Sequence, residues 1–73
     1  MKREKLIKVG KELAQNIFGE NADICSSWSI HPECYVGIVN KYGSVQEQKT
    51  PKMKPLELNA FLLGIKFAKE QEL

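Results

Sequence analysis

The chain has 73 residues, of which 11 are Lys or Arg and 9 are Asp or Glu, so its net charge is +2. This length predicts one domain, residues 1–73, which buries only about 60% of the surface that its unfolded chain exposes and has little room for an enclosed active site. Arg3 is the single arginine, so bidentate recognition of phosphate is nearly excluded. The weak net charge also falls short of the dense positive field of a dedicated nucleic-acid binder.

Cysteine content and hydropathy indicate the cellular compartment in which the protein is expected. Two cysteines, Cys25 and Cys34, are too few for the disulfide framework of a small secreted domain. Charges at Lys8, Lys11 and Glu12 interrupt any signal-peptide core, and no apolar run approaches the roughly 20 residues that cross a bilayer. We therefore expect a soluble cytoplasmic protein with unpaired thiols, no membrane contact and no cofactor.

The first predicted element is an amphipathic helix that ends at Gly19. At about 100° per residue, its apolar side chains fall within one arc and most of its charged side chains fall on the other side. The apolar arc consists of Leu6, Ile7, Gly10, Leu13, Ala14, Ile17 and Phe18. A glycine such as Gly19 is typical of the left-handed residue that terminates a helix.

Alternating polarity after this helix predicts two antiparallel strands, the first from Ile24 to Ile30 and the second beginning at Cys34. We expect His31-Pro32-Glu33 to form the turn, so that Ile30 pairs with Cys34. The same register sets Trp28 opposite Val36, Ser26 opposite Ile38 and Cys25 opposite Val39. It places Cys25 and Cys34 on opposite faces of the sheet, and Cys34 on the core face.

A second hairpin and a final helix complete the pattern. Gly43 marks a tight turn, and the mainly polar run from Val45 to Lys49 predicts an exposed edge strand. Pro55 suits the first position of the last helix. We predict an α+β fold of order αβββα, a two-layer sandwich in which two helices cover one face of a three-stranded antiparallel sheet.

The last helix carries two apolar stripes where one sheet face can bury only one. The broad stripe, which we expect in the core, consists of Leu58, Phe61, Leu62, Ile65 and Ala68. The second stripe consists of Leu56, Ala60, Leu63 and Phe67. The first helix can cover this second stripe, because two helices on one sheet face normally touch. Otherwise the stripe forms an interface with a partner protein or joins a homodimer through this helix.

Two groups of side chains are candidates for a functional site: His31 with the cysteines, and the lysines. His31, the only histidine, can serve as a general base in RNA cleavage, but without a second histidine or a paired acid we interpret it as an exposed turn residue and predict no catalytic residue. No metal site is expected, since the two cysteines lie on opposite faces.

Lysines recur along the first helix and around the loop before the last one, where they can track a phosphate backbone. They are Lys2, Lys5, Lys8, Lys11, Lys49, Lys52 and Lys54. The alternative is a solvated helix surface on which Lys8 pairs with Glu4 and Glu12.

The αβββα order resembles that of double-stranded-RNA-binding domains and of the HicA-type mRNA interferase toxins that share their fold. Glu12-Leu13-Ala14-Gln15 is similar to the first-helix segment that carries a Glu toward the RNA minor groove in the binding domains. His31, Tyr35 and Val39 resemble positions in their first loop and second strand. Lys5-Leu6-Ile7-Lys8, Lys54-Pro55, Leu58 and Leu62 are similar to helix segments of the toxins. Glu57 stands where the binding domains have a phosphate-contacting Lys.

We expect a small, non-catalytic protein, and the resemblance to the binding domains implies that it binds duplex or structured RNA. Its RNA-binding residues are then Lys5, Lys8, Glu12, His31, Lys52 and Lys54. The alternative is a protein-interaction or inhibitor module, of the kind that phages and mobile elements carry, acting through the last helix or the edge strand. A toxin nuclease with His31 as its base is the third interpretation.

Overall fold

The computed structural model describes residues 3–26 and 33–71, and it confirms the predicted αβββα order. The elements are α1 (Arg3–Phe18), β1 (Ala22–Ser26), β2 (Cys34–Val39), β3 (Val45–Gln48) and α2 (Pro55–Gln71). The strands form one antiparallel sheet in the order β1-β2-β3, so β2 is central and the two hairpins are consecutive.

The first helix ends as its sequence predicts. Gly19 has a φ of 104°, and its N–H donates to the carbonyl of Gln15 at 2.9 Å. Near the same end, Lys69 Nζ of α2 donates to the carbonyl of Ile17 at 3.1 Å. This contact satisfies a carbonyl that has no partner within its own helix, and it places a cation at the negative end of the helix dipole.

The predicted register of the first hairpin is wrong by four residues. Ser26 pairs with Cys34 and Ile24 with Val36, and Cys25 faces Tyr35 instead of Val39. Cys34 therefore does not pair with Ile30, as the predicted turn required. The face assignment survives because a shift by an even number of residues leaves every side chain on its original side. The predicted strand residues Trp28 and Ile30 lie outside the described residues, as do His31 and Pro32 of the predicted turn.

The second hairpin confirms the predicted turn and the exposed edge. Gly43 has a φ of 81°, which fits its position in the turn. Asn40 organises this turn, since its side-chain Oδ1 accepts hydrogen bonds from the N–H groups of Tyr42 and Ser44, both at 2.9 Å. This is the Asx-type bonding that favours Asn in turns. Every residue of β3 is exposed.

The segment between β3 and α2 is hydrogen-bonded to β2. Thr50 is buried, and its Oγ1 accepts a hydrogen bond from the N–H of Val36 at 2.9 Å. Three residues later, Met53 and Cys34 exchange two backbone hydrogen bonds of 2.7 and 2.8 Å. These contacts hold the chain beside the start of β2 until Pro55 begins α2, as predicted.

Both helices and the first two strands contribute to one core. The fully buried apolar side chains are Ala14, Ala22, Cys34, Val36, Leu58 and Leu62. The helices pack together and run in the same direction, since Asn59 Nδ2 donates to the carbonyl of Leu6 at 3.0 Å while Lys69 contacts Ile17 farther along both helices. Their N-terminal ends therefore lie at the same end of the molecule.

Candidate interaction surfaces

The common N-terminal end of the two helices carries several cations. Met53 is held against Cys34 by the backbone pair described above, so Lys52 and Lys54 flank the start of β2. Arg3, at the start of α1, also lies near Cys34: burial raises the pKa of the Cys34 thiol, and the charge of Arg3 opposes part of that rise. The fold thus brings the beginning of α1 and the loop before α2 together, although about 50 residues separate them in the chain.

Four lysines of this end are exposed. Lys5 and Lys8 lie on α1 together with Glu12, and their spacing of three and then four residues puts all three on one side of the helix. Lys52 and Lys54 lie on the loop before α2. We call Lys5, Lys8, Lys52 and Lys54 the basic surface.

The ion pairs of the described residues lie outside the basic surface. Lys11 Nζ is 3.8 Å from Asp23 Oδ1, and Lys49 Nζ is 2.6 Å from Glu47 Oε2. The alternative pairs of Lys8 with Glu4 and with Glu12 do not form within 4.0 Å. Lys11 and Lys49 are thus engaged, whereas the lysines of the basic surface have no ion-pair partner in residues 3–26 and 33–71.

The predicted RNA contact His31 belongs to residues 27–32, which the structure does not describe, so its position relative to the basic surface is not assigned. The acidic residue Glu57 lies in the first turn of α2, close in sequence to Lys54. Its charge lowers the positive potential there, in the place where the resemblance would have a lysine.

The second stripe of α2 is exposed to solvent. Leu56, Leu63 and Phe67 keep 68%, 54% and 66% of their surface, and Ala60 is exposed as well. The first helix does not cover these residues, because it packs against another side of α2, where Asn59 contacts Leu6. We call Leu56, Ala60, Leu63 and Phe67 the α2 seam.

The buried side of α2 differs from the predicted broad stripe. Leu58 and Leu62 are in the core, as expected, but Ile65 is half-buried, and Phe61 and Ala68 are exposed. Asn59 is buried in their place. It faces α1 where Gly10 has no side chain: a Cβ added there would lie 2.6 Å from Asn59 Oδ1. The burial of a polar residue such as Asn59 cannot be predicted from hydropathy. The glycine at position 10, within the apolar arc of the first helix, is the sequence feature that indicates a close approach of the two helices.

The two cysteines lie on opposite sheet faces, as predicted, and both thiols are free in the structure. Burial raises the pKa of Cys25, and the neighbouring charge of Asp23 raises it further. In residues 3–26 and 33–71, no three His, Cys, Asp or Glu side chains lie close enough together to hold a metal ion.

We expect both cysteines to react slowly with a disulfide reagent at neutral pH, because a raised pKa lowers the fraction of thiolate. The half-buried Cys25 should react first, and faster as the pH rises, whereas the buried Cys34 should react only when the protein unfolds. The Cys25→Ser variant isolates Cys34, and denatured protein provides the unprotected rate. A native Cys34 that reacts at the denatured rate would contradict its burial.

None of the described helices has the length and apolar character needed to cross a membrane. No protein-family model matches the chain, and no curated protein and no solved structure matches it either.

Proposed function

We propose that this protein binds structured RNA through the basic surface, without catalysis. The observation that carries the proposal is the convergence of exposed lysines from α1 and from the loop before α2 at one end of two parallel helices. The αβββα topology is consistent with the fold of double-stranded-RNA-binding domains, which adds support at the level of fold only.

The chemistry of the basic surface suits a phosphate backbone better than base edges. Each lysine is a point charge that can neutralise one phosphate, and the chain's single arginine leaves little capacity for bidentate contacts to bases. An A-form duplex also hides its base edges in a deep major groove, so shape and backbone dominate its recognition. In this proposal Glu12, on the same side of α1 as Lys5 and Lys8, accepts a hydrogen bond from a ribose 2′-hydroxyl. The net charge of +2 predicts modest affinity.

Replacing Lys52 and Lys54 together with glutamine should weaken binding to all duplex sequences and reduce the salt slope by about two units, since two phosphate contacts are lost. Binding is measured by titrating a fluorescent RNA duplex at several salt concentrations. Lys41→Gln is the control, because Lys41 is an exposed lysine in the turn at the far end of β2. The absence of any salt-sensitive binding at tens of micromolar, or an equal loss in the control, would overturn the proposal.

The non-catalytic part of the proposal has its own test. His31→Ala should weaken binding if His31 contacts the RNA, and the unaltered protein should leave the duplex intact during a long incubation. Cleavage that disappears in His31→Ala would instead support a nuclease with His31 as its base.

A second candidate function, a protein-interaction or inhibitor module, is favoured by the exposed α2 seam. The outer edge of β3 is the other candidate surface for a partner, since it lies at one side of the sheet. Charged Glu47 and Lys49 pair along that edge, which makes it a poor template for another strand. The seam offers apolar surface instead, and we therefore prefer it as the contact site of this candidate.

A further inference from the structure

The α2 seam has the spacing of a helix that packs against another helix. Its residues follow one another at intervals of four, three and four positions, from Leu56 through Ala60 and Leu63 to Phe67. This alternation of four and three is the apolar repeat of a two-stranded coiled coil, which keeps one narrow row of side chains facing a partner. We propose that the α2 seam joins two copies of this chain in an antiparallel dimer with twofold symmetry. The inference rests on the second candidate function and is independent of RNA binding.

Side-chain sizes along the seam are complementary when two copies run in opposite directions. Aligning the centres of the two seams puts Leu56 opposite Phe67 of the second copy and Ala60 opposite Leu63 of the second copy. Ala60, the one small side chain of the seam, then meets Leu63, so neither of the two central layers pairs two small side chains. Symmetry repeats both contacts, which gives four layers from four residues per chain.

The charges at the two ends of α2 also favour this orientation. Glu70 lies near the C-terminal end of α2, and Lys52 and Lys54 lie just before its N-terminal end. An antiparallel pair brings Glu70 of one copy toward Lys54 of the other at both ends of the contact. A parallel pair would bring Glu70 to Glu70 and Lys54 to Lys54, which are repulsive arrangements.

The aligned pair sets Lys69 of one copy level with Lys54 of the other, but Lys69 Nζ is held on the α1 side by its hydrogen bond to the Ile17 carbonyl. Glu57 lies on the same flank as Gly64. In the aligned dimer these two residues come to face each other across the interface. The space around Gly64 is open, since an added Cβ would meet nothing within 4 Å. The carboxylate of Glu57 therefore keeps its access to water in the dimer.

The size of the contact predicts its strength. A helix of 17 residues is about 25 Å long, so a single pair of such helices buries less than a standard interface of roughly 1,600 Å². We expect a dimer that dissociates in the micromolar range or above. The alternative is a monomer that leaves an apolar row exposed over most of α2, which is a liability for aggregation.

Sedimentation velocity over a series of concentrations, without RNA, tests the dimer. The unaltered chain should shift from monomer to dimer as its concentration rises, and Phe67→Glu should weaken the dimer at least tenfold. Tyr42→Glu is the matched control, because Tyr42 is an exposed aromatic residue on the β2–β3 turn. Circular dichroism checks that each variant folds. A chain that stays monomeric up to about millimolar concentration, or a dimer that Phe67→Glu leaves intact, would overturn the proposal.

A charge exchange tests the orientation. Glu70→Lys should weaken the dimer, and Lys54→Glu added to it should restore the dimer, because the two positions face each other only in the antiparallel pair. A double variant that remains as weak as Glu70→Lys would rule out this arrangement. Failure here is separate from failure of the RNA proposal: a monomer that still binds duplex RNA with the predicted salt slope overturns only the dimer.

Discussion

Replacing Leu62 with alanine is expected to lower the free energy of unfolding by about 2 to 5 kcal/mol. The side chain of Leu62 has none of its surface exposed and belongs to the cluster that joins both helices to the first two strands. Its removal leaves a cavity that the neighbouring side chains fill only in part. For a chain of 73 residues the whole free energy of unfolding is about 4 to 11 kcal/mol, so a large part of the variant could be unfolded at room temperature.

The adjacent residue provides the control for this prediction. Leu63→Ala removes the same atoms from the same helix, but the side chain of Leu63 keeps 54% of its surface exposed, so we expect a loss of less than about 1 kcal/mol. Urea unfolding followed by circular dichroism measures both variants. Dilute protein is needed, because Leu63 belongs to the proposed dimer contact. Equal losses for the two variants would mean that α2 is rotated from the orientation described.

The two strand periodicities predicted the faces of the sheet but not its register. Alternation assigned Cys34 and Val36 to the core and Cys25 to the other face, and the structure confirms these assignments. A period of two, however, is unchanged by a shift of four residues, so alternation is equally compatible with Ser26 opposite Ile38 and with Ser26 opposite Cys34. The point at which the chain reverses decides between them, and alternation alone does not specify that point.

The orientation of α2 could be predicted only in part, because hydropathy does not identify a buried polar residue. Leu58 and Leu62 were assigned to the core correctly. Asn59 is buried because its amide donates to the Leu6 carbonyl and because Gly10 leaves space for it, and both conditions depend on residues about 50 positions away. With Asn59 on the buried side, the helix is turned so that Phe61 and Ala68 stay exposed.

The candidate surfaces, too, could be predicted where they depend on residues close in sequence, and could not where they depend on residues far apart in the chain. Sequence spacing identified Lys5 and Lys8 as neighbours on one side of a helix, and the fold was needed to bring Lys52 and Lys54 to the same end of the molecule. Ion pairing of Lys11 and Lys49 with Asp23 and Glu47 was not predictable, since each partner lies on another element or depends on the strand geometry. The apolar seam of α2, by contrast, was predicted from the sequence, and the structure shows that α1 does not cover it.

Replacing Gly10 with alanine is expected to destabilise the protein by about 1 to 3 kcal/mol, although alanine is the better helix former. The added methyl group would lie 2.6 Å from Asn59 Oδ1 and 3.4 Å from Ile24 Cδ1, so the Asn59 side chain has to move. Its amide is buried and donates to the Leu6 carbonyl at 3.0 Å, which means that displacement leaves polar groups without partners. That loss outweighs the roughly 1 kcal/mol that alanine contributes in a helix.

Gly64→Ala is the matched control, since Gly64 lies within α2 and an added Cβ there would meet nothing within 4 Å. It should stabilise the chain by about 0.5 to 1 kcal/mol, so the same substitution in two helices is expected to have opposite signs. Unfolding in urea, again with dilute protein, gives both values. A second variant, Gly10→Ala combined with Asn59→Ala, removes the clash together with the amide and should recover part of the loss. If Gly10→Ala were as stabilising as Gly64→Ala, the close contact of the two helices at Asn59 would be wrong.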